Sequence, residues 1–400
     1  MKVKASYEKA RKSYEEKSAS YGYQPDQFAY HSLKEALGAK PGDALYDRLI
    51  TRNRNYESTD LQQRGLNISY AWKHFIGKKG SFALQGFTNL SGTNEDTHNN
   101  RNVEYLREQR NETLWQFYDR GVHELETQFG ASFDYWLGKK VYFNIFDNVR
   151  LSRTRIARNF FSDTDEQNVV GGTPTTADPA NSMRNLTHKW TNELTVKSTI
   201  TPVKALMIMP KFKWNYSREK TNYHYGPLDT TAVRTSNTYE PSIFLKWKMS
   251  RVRNMDIAFA YNTTVPDLVS TLGYRNTIDP LHIYMGNPLL HNSHSHTTTY
   301  NYHRMWLRKQ IVLGFTASYN KDINPQATLY SYNSATGVYT SKPMNVKGGD
   351  MWQFALNYDQ GIGFYFRLMN KFALETAKSY GFLTIVDNNA ADAQPELNKQ

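Results

Sequence analysis

The sequence predicts an all-β protein: an antiparallel up-and-down transmembrane β-barrel, with about 12 strands in view as part of a larger barrel. Three observations predict it. Apolar and polar residues alternate with period two over most of the chain. Short turns and long polar segments alternate strictly between the strands. Tryptophans gather at strand ends rather than at strand centres.

The composition agrees. The 400 residues carry 28 Tyr and 14% aromatics, yet the mean hydropathy is −0.70. Many aromatics on a polar chain suit strands with one apolar and one wet face. No stretch of about 18 apolar residues offers a membrane helix. The charged start MKVKASYEKARKSYEEKSAS has no apolar core and is no signal peptide. With no cysteine, disulfides, thiolate metal sites and cysteine nucleophiles are excluded.

Residues 1–60 read as a polar N-terminal segment or loop, with charged, helix-compatible patterns over Tyr7 to Ser18 and Phe28 to Leu37. Residues 61–375 read as barrel strands with long external loops. In the first hairpin Leu66, Ile68, Tyr70 and Trp72 lead through IGKKGS to Phe82 and Leu84. In the next, Leu125, Phe129, Phe133 and Tyr135 alternate with Glu126, Gln128, Ser132 and Asp134, and after LGKK come Val141, Phe143, Ile145, Val149 and Leu151. The clearest strand is Leu186 to Ile200: Leu186, Trp190, Leu194, Val196 and Ile200 share one face, and every residue between them in register, from Thr187 to Thr199, is polar. Leu206, Ile208, Phe212, Trp214 and Tyr216 answer it across a short turn. Later hairpins pair Tyr239–Met249 with Met255–Tyr261, His296–Trp306 with Ile311–Tyr319, and Trp352–Tyr358 with Phe364–Phe372. Residues 376–400 read as a polar tail or loop.

Short turns fall near 76–81, 137–140, 201–204, 250–254, 307–310 and 359–363; long segments fall at 91–123, 153–185, 218–238, 264–294 and 321–348. Each long segment exceeds ordinary loop lengths, so all short turns lie at one end of a meander. Strands of roughly 10–15 residues exceed the usual 5–6 of soluble sheets and suffice for the ~9–11 that cross a bilayer at a tilt. Trp136, Trp247 and Trp306 adjoin short turns and Trp72 is close to one, while Trp190, Trp214 and Trp352 lie toward the opposite strand ends; only Trp115 falls in a long segment. Two indole bands match the two membrane interfaces. The apolar face is expected to be nearly free of charge, with Arg304, beside a short turn, as its exception.

Chemistry is sparse. The stretch IDPLHIYMGNPLLHNSHSHTTTYNYHRMW holds His282, His291, His294, His296 and His303. In an extended segment their spacing spreads the rings over opposite faces, so no metal site is expected. Asp163, Asp165 and Glu166 sit in a loop rich in Thr, Asn and Gly and read as solvated charge, and Gly171–Pro174 as a flexible external loop. No nucleophile elbow, HExxH, P-loop or Rossmann fingerprint occurs, so no enzyme, catalytic residue or cofactor is expected. The formal charge of +12 raises nucleic acid as a partner. Lys and Arg, however, take the polar face, the turns (Lys78, Lys79, Lys139, Lys140, Arg308, Lys309) and the loops, opposite the aromatics, which argues against it.

Within the histidine stretch, Asp279, Pro280, Leu281, Ile283, Gly286, Asn287, Pro288 and Leu290 precede a period-two strand. Further on, ATLYSYNSATGVYTSKPMNVKGG places Tyr330, Thr336, Gly337, Pro343 and Asn345 around a turn. Both stretches resemble the outer-membrane β-barrel family found beside and within TonB-dependent receptors, especially those of Bacteroidetes. The resemblance covers roughly residues 60–375. His291-Asn292-Ser293 stands where that family usually has KPE. The resemblance implies the cell outer membrane, contact with its lipid and lipopolysaccharide, and the barrel portion of a receptor that binds or imports an unknown external nutrient. TonB would act through a plug domain that this chain does not show. About twelve strands against the receptors' larger barrel, and a close in DNNAADAQPELNKQ rather than an aromatic strand, lead to the expectation of a fragment. A stand-alone porin-like or structural barrel is the alternative, and a soluble carbohydrate-binding β protein is the third reading.

Overall fold

The computed structural model describes residues 2–21, 37–333, 336–363, 365–382, 385–386 and 396–399. Its strands, in chain order, are β1 (Lys2–Tyr21), β2 (Leu49–Ile76), β3 (Gly80–Tyr105), β4 (Arg110–Leu137), β5 (Val141–Asp163), β6 (Val169–Val170), β7 (Thr173–Pro174), β8 (Met183–Val203), β9 (Leu206–Tyr225), β10 (Leu228–Ser250) and β11 (Arg253–Thr264). There follow β12 (Arg275–Asp279), β13 (His282–Met285), β14 (Ser293–Trp306), β15 (Ile311–Ile323), β16 (Gln326–Asn333), β17 (Val338–Asn345), β18 (Asp350–Ile362), β19 (Phe366–Gly381), β20 (Ile385–Val386) and β21 (Glu396–Lys399).

Fourteen strands form one sheet in the order β1-β2-β3-β4-β5-β8-β9-β10-β11-β14-β15-β18-β19-β21, each antiparallel to its neighbours. This is the expected up-and-down meander, with more strands than the twelve read from pattern. Among the described residues its two edge strands do not pair with each other.

The register shows how the sheet is tilted. Each rising strand starts opposite a residue a little short of the end of the next descending one: Gly80 faces Tyr135, Val141 faces Ile200, Leu206 faces Trp247, Arg253 faces Arg304 and Ile311 faces Gln360. The offset has one sense throughout. A steady stagger of that kind is what strands inclined in a barrel wall require.

All six short turns lie where the pattern put them. The long segments differ. Residues 91–123 are not a loop: β3 continues to Tyr105 and β4 resumes at Arg110. Residues 218–238 are likewise the upper halves of β9 and β10. One face of these stretches is exposed and the other is buried with largely polar residues such as Thr97, Asn99, Arg101, Glu219 and Thr221, so they lack the apolar alternation that marks a strand in a bilayer, while backbone pairing continues unbroken. At 28 residues each, β2 and β4 are more than twice the ~9–11 residues a bilayer needs.

The first residues also depart from the expected polar loop. Tyr7 to Ser18 lies in β1, not in a helix-compatible segment. Cross-strand partners on β2 override the local pattern: Arg11 meets Asp60 at 3.4 Å, the Tyr14 hydroxyl donates to Glu57 at 3.0 Å, and Arg64 covers the Tyr7 ring. Phe28 to Leu37 falls almost wholly outside the described residues. In the expected tail, β19 runs on to Gly381 and β21 pairs with it; residues 387–395 lie outside the described residues.

Burial is inverted relative to a soluble domain. Trp72, Phe129, Ile145, Leu151, Trp190, Phe212, Trp247 and Phe372 are all exposed on the convex face, as residues that meet lipid should be. The apolar clusters lie beyond the band, one around Ala39, Leu49 and Leu106, the other around Tyr223, Tyr225 and Leu272. One close approach locks the wall: a Cβ at Gly86 would lie 2.3 Å from the Tyr70 hydroxyl, whose ring fills the missing side chain's place. The convex face also carries a charge that the pattern missed. Asp147 shares the face of Ile145 and Val149, is exposed, and accepts a 2.9 Å hydrogen bond from Asn192.

Candidate functional site

Above the wall, at the end away from the short turns, a second sheet forms in the order β12-β13-β17-β16-β20. The Gly-Asn-Pro stretch and the Pro-Met-Asn stretch build it by clamping each other. A Cβ at Gly286 would fall 1.7 Å from the Leu272 carbonyl oxygen, so only glycine passes. Asn287, 3% exposed, donates its amide to the Pro343 carbonyl at 2.8 Å and accepts from the Leu289 N–H at 3.0 Å. Asn345 accepts from the His291 N–H at 2.8 Å and donates to the carbonyls of His291 and Asn324. The signature residues are therefore structural.

The cap is tied to the wall at three points. Asp279 pairs with the buried Arg101 of β3. Gln116 of β4 donates to the Ile278 carbonyl at 2.8 Å. Tyr225 of β9 places its hydroxyl 2.9 Å from Asn276 Oδ1 and 3.2 Å from Asn181 Oδ1, and Thr277 donates to the same Asn181 oxygen. Burial pushes the phenols of Tyr223, Tyr225 and Tyr274 up from their usual value.

One face of the cap is aromatic. By register, Tyr339 lies beside both His282 and Tyr332, and Ser341 beside both Tyr284 and Tyr330, so these six residues share a face. The His282 and Tyr284 rings lie tilted with centroids 4.1 Å apart, and those of Tyr332 and Tyr339 4.5 Å apart. Tyr284, Tyr330 and Tyr339 remain exposed, while His282 Nε2 sits 3.1 Å from Ser341 Oγ. Such a face can stack planar or pyranose rings and offers phenol and imidazole donors around them.

Below it, the concave face of the wall is lined by ion pairs. Arg150 meets Glu126 at 2.5 Å, Lys213 bridges Glu193 at 3.8 Å and Glu240 at 2.6 Å, and Glu219 takes both Arg234 and Lys189. These are the residues that alternate with the exposed apolar ones, so the concave side is a wet, charged surface.

The histidines lie on different parts of the fold. His282 is on the cap, His291 in the clamp, and His294 and His296 are packed on Tyr261 and Phe259 of β11. Among the described residues no group of three or more His, Cys, Asp or Glu is placed to hold a metal. Asp163 is more ordered than a solvated loop charge. It accepts from Thr176, Asp165 and Asn168, and the Thr176 hydroxyl first among these holds its carboxyl below the usual range. The aromatic cap face was missed by the sequence reading, because it depends on the parallel pairing of β13 with β17, which no local pattern encodes.

The model of the outer membrane protein beta-barrel family matches residues 218–394. No curated protein sequence matches the chain. Among solved structures, the siderophore receptor PirA of Pseudomonas aeruginosa is similar at 11% identity and a TM-score of 0.39, over 83% of this chain and 62% of that one. The siderophore receptor PiuA of Acinetobacter baumannii is similar at 8% identity and a TM-score of 0.42, over 98% of this chain and 65% of that one. The hemophore receptor HasR of Serratia marcescens, as a double mutant in complex with its hemophore HasA and heme, is similar at 10% and 0.40, over 89% and 61%. The chain thus spans less than two thirds of the length of each. With the family match and the lipid-facing apolar band, the protein is placed in the outer membrane.

Proposed function

We propose that the chain is the barrel part of a TonB-dependent-receptor-like protein that captures an external nutrient for import and does no chemistry on it. The observation that carries this reading is the cap: a sheet with an exposed aromatic face, fixed by Arg101–Asp279 and Gln116–Ile278 over a charged concave wall. A ligand held there meets the wet face next. The energy would come from TonB through a plug, and the resemblance to Bacteroidetes barrels and the contact with lipopolysaccharide belong to the same proposal.

The test is uptake by cells carrying the full gene product, using labelled ferric siderophores, heme and oligosaccharides as probes. The expected result is energy-dependent uptake of one class, lost when a proton-motive-force uncoupler is added and reduced by Tyr284→Ala with Tyr330→Ala. Uptake that persists with the uncoupler and ignores both substitutions would favour the porin-like barrel instead.

A further inference from the structure

We infer that the convex face of the wall carries a built site for the phosphate of an acylated glycolipid of the outer leaflet, formed by Arg153, His188 and Lys220. The inference rests on the reading above only in taking the end away from the short turns as external.

The three residues stand side by side on adjacent strands: Arg153 of β5 pairs with His188 of β8, and His188 pairs with Lys220 of β9. All three are exposed on the lipid-facing side. One dyad below, on the same face, Leu151 pairs with Trp190, and Trp190 with Arg218. Together they line a depression of about 510 Å³. Its floor is apolar, with Trp190 set edge-on against Tyr216 at 5.2 Å, and its upper rim is basic.

Height fits the assignment. Arg153 lies ~12 residues along its strand from Val141 and the short turn, about the span of a tilted strand through a bilayer. Trp190 marks the interface just beneath. Cations on the lipid face are costly at the midplane but cheap at the interface, so this row is where they are tolerated.

An anion would balance the row: Arg153 and Lys220 stand on either side of His188, with Arg218 one dyad below on the same face. The outward-facing positions that flank the row are Leu125 and Val233, which bring no carboxylate. The acids next to the row, Glu126 beside Leu125 and Glu219 beside Lys220, point to the concave side and are engaged by Arg150 and by Lys189 and Arg234. Among the described residues no ion pair involves Arg153, Arg218 or Lys220. A phosphate above the row would take charge-assisted hydrogen bonds from two strands at once, while acyl chains cover Leu151 and Trp190. Basic pockets beside apolar membrane surface recognise lipid headgroups in this way.

The experiment is native mass spectrometry of the protein extracted from membranes and delipidated, then offered diphosphorylated lipid A, dephosphorylated lipid A or inorganic phosphate. Wild type should retain one diphosphorylated lipid A. The triple variant Arg153→Gln, His188→Gln, Lys220→Gln should retain roughly tenfold less or lower still, given the strength of hydrogen bonds to charged groups. Lys139→Gln, in the short turn after β4 at the far end of the wall, should bind as wild type does. Equal retention by wild type and a triple variant that still shows heat-modifiable mobility overturns the inference. If the triple variant does not fold, wild type alone decides: equal retention of dephosphorylated and diphosphorylated lipid A overturns the site. Displacement of the lipid by millimolar inorganic phosphate alone would show a free-phosphate site and overturn the lipid assignment. Loss of lipid A with nutrient uptake intact separates this site from the import reading.

Discussion

At the scale of the residue, three side chains test the account. Gly286 passes so close to Leu272 that any Cβ must move backbone. Gly286→Ala should cost about 3 kcal/mol or more through that strain, and should open the cap to protease while the barrel keeps its heat-modifiable mobility on gels. Asp147 exposes a carboxylate to lipid six residues beyond the start of β5 at Val141, and Asn192 donates to it. Asp147→Leu should raise stability by about 1–2 kcal/mol, less than removal of a midplane Arg or Lys gains, read as a higher urea midpoint in vesicles. Tyr223 is buried beneath the cap and its phenol titrates above the ordinary value of 10.0. A group raised on folding contributes stability that is whole below its unfolded pKa and lost as pH rises through the folded one. The cap should therefore loosen above about pH 10, seen as phenolate absorbance rising together with faster amide exchange around Leu272. The sequence disclosed residues of this kind unevenly. Gly286, Asn287 and Asn345 stood out through a motif, whereas Asp147 was hidden: a single polar residue in an alternating run does not announce which membrane depth it occupies.

At the scale of the element, the alternation of Leu186 to Ile200 was legible because the two faces meet different solvents, and the other hairpin strands between Leu66 and Phe372 declared themselves in that way. The upper halves of β3, β4, β9 and β10 bury largely polar residues on one face and expose polar residues on the other, and read as loops. β1 read as a polar segment or loop, since Arg11 and Tyr14 acquire their meaning only opposite Asp60 and Glu57. The pairing Asn94–Gln62 and Asn94–Gly121, continued to Arg101 and Leu114, makes a direct prediction. The amides of residues 94–101 should exchange slowly, as those of a paired ladder do, although they stand well above the bilayer. Exchange at the rate of an open loop would restore the segment 91–123 to a loop.

At the scale of the whole molecule, the apolar surface faces outward, the ion pairs of β5, β8, β9 and β10 face inward, and the cores lie in the cap region and beside β2. That arrangement follows from a bilayer as solvent: the band gains its stability from lipid contact and from a fully paired backbone. Only the parts in water need buried clusters. The sequence carried the inside-out wall through its period, the aromatic girdles through Trp136, Trp190 and Trp247, and the family resemblance through the clamp. It could not carry the cap's aromatic face or the basic row on β5, β8 and β9, which exist only once strands far apart in the chain are set in register. Absence of native cysteine allows the most direct measurement: single cysteines placed in turn from position 191 to 197 of β8, in intact outer membranes, treated with a water-soluble maleimide. The account predicts alternation, with positions 191, 193, 195 and 197 reacting from the wet side and positions 194 and 196 shielded by lipid. Uniform reaction at every position would contradict a membrane-spanning wall.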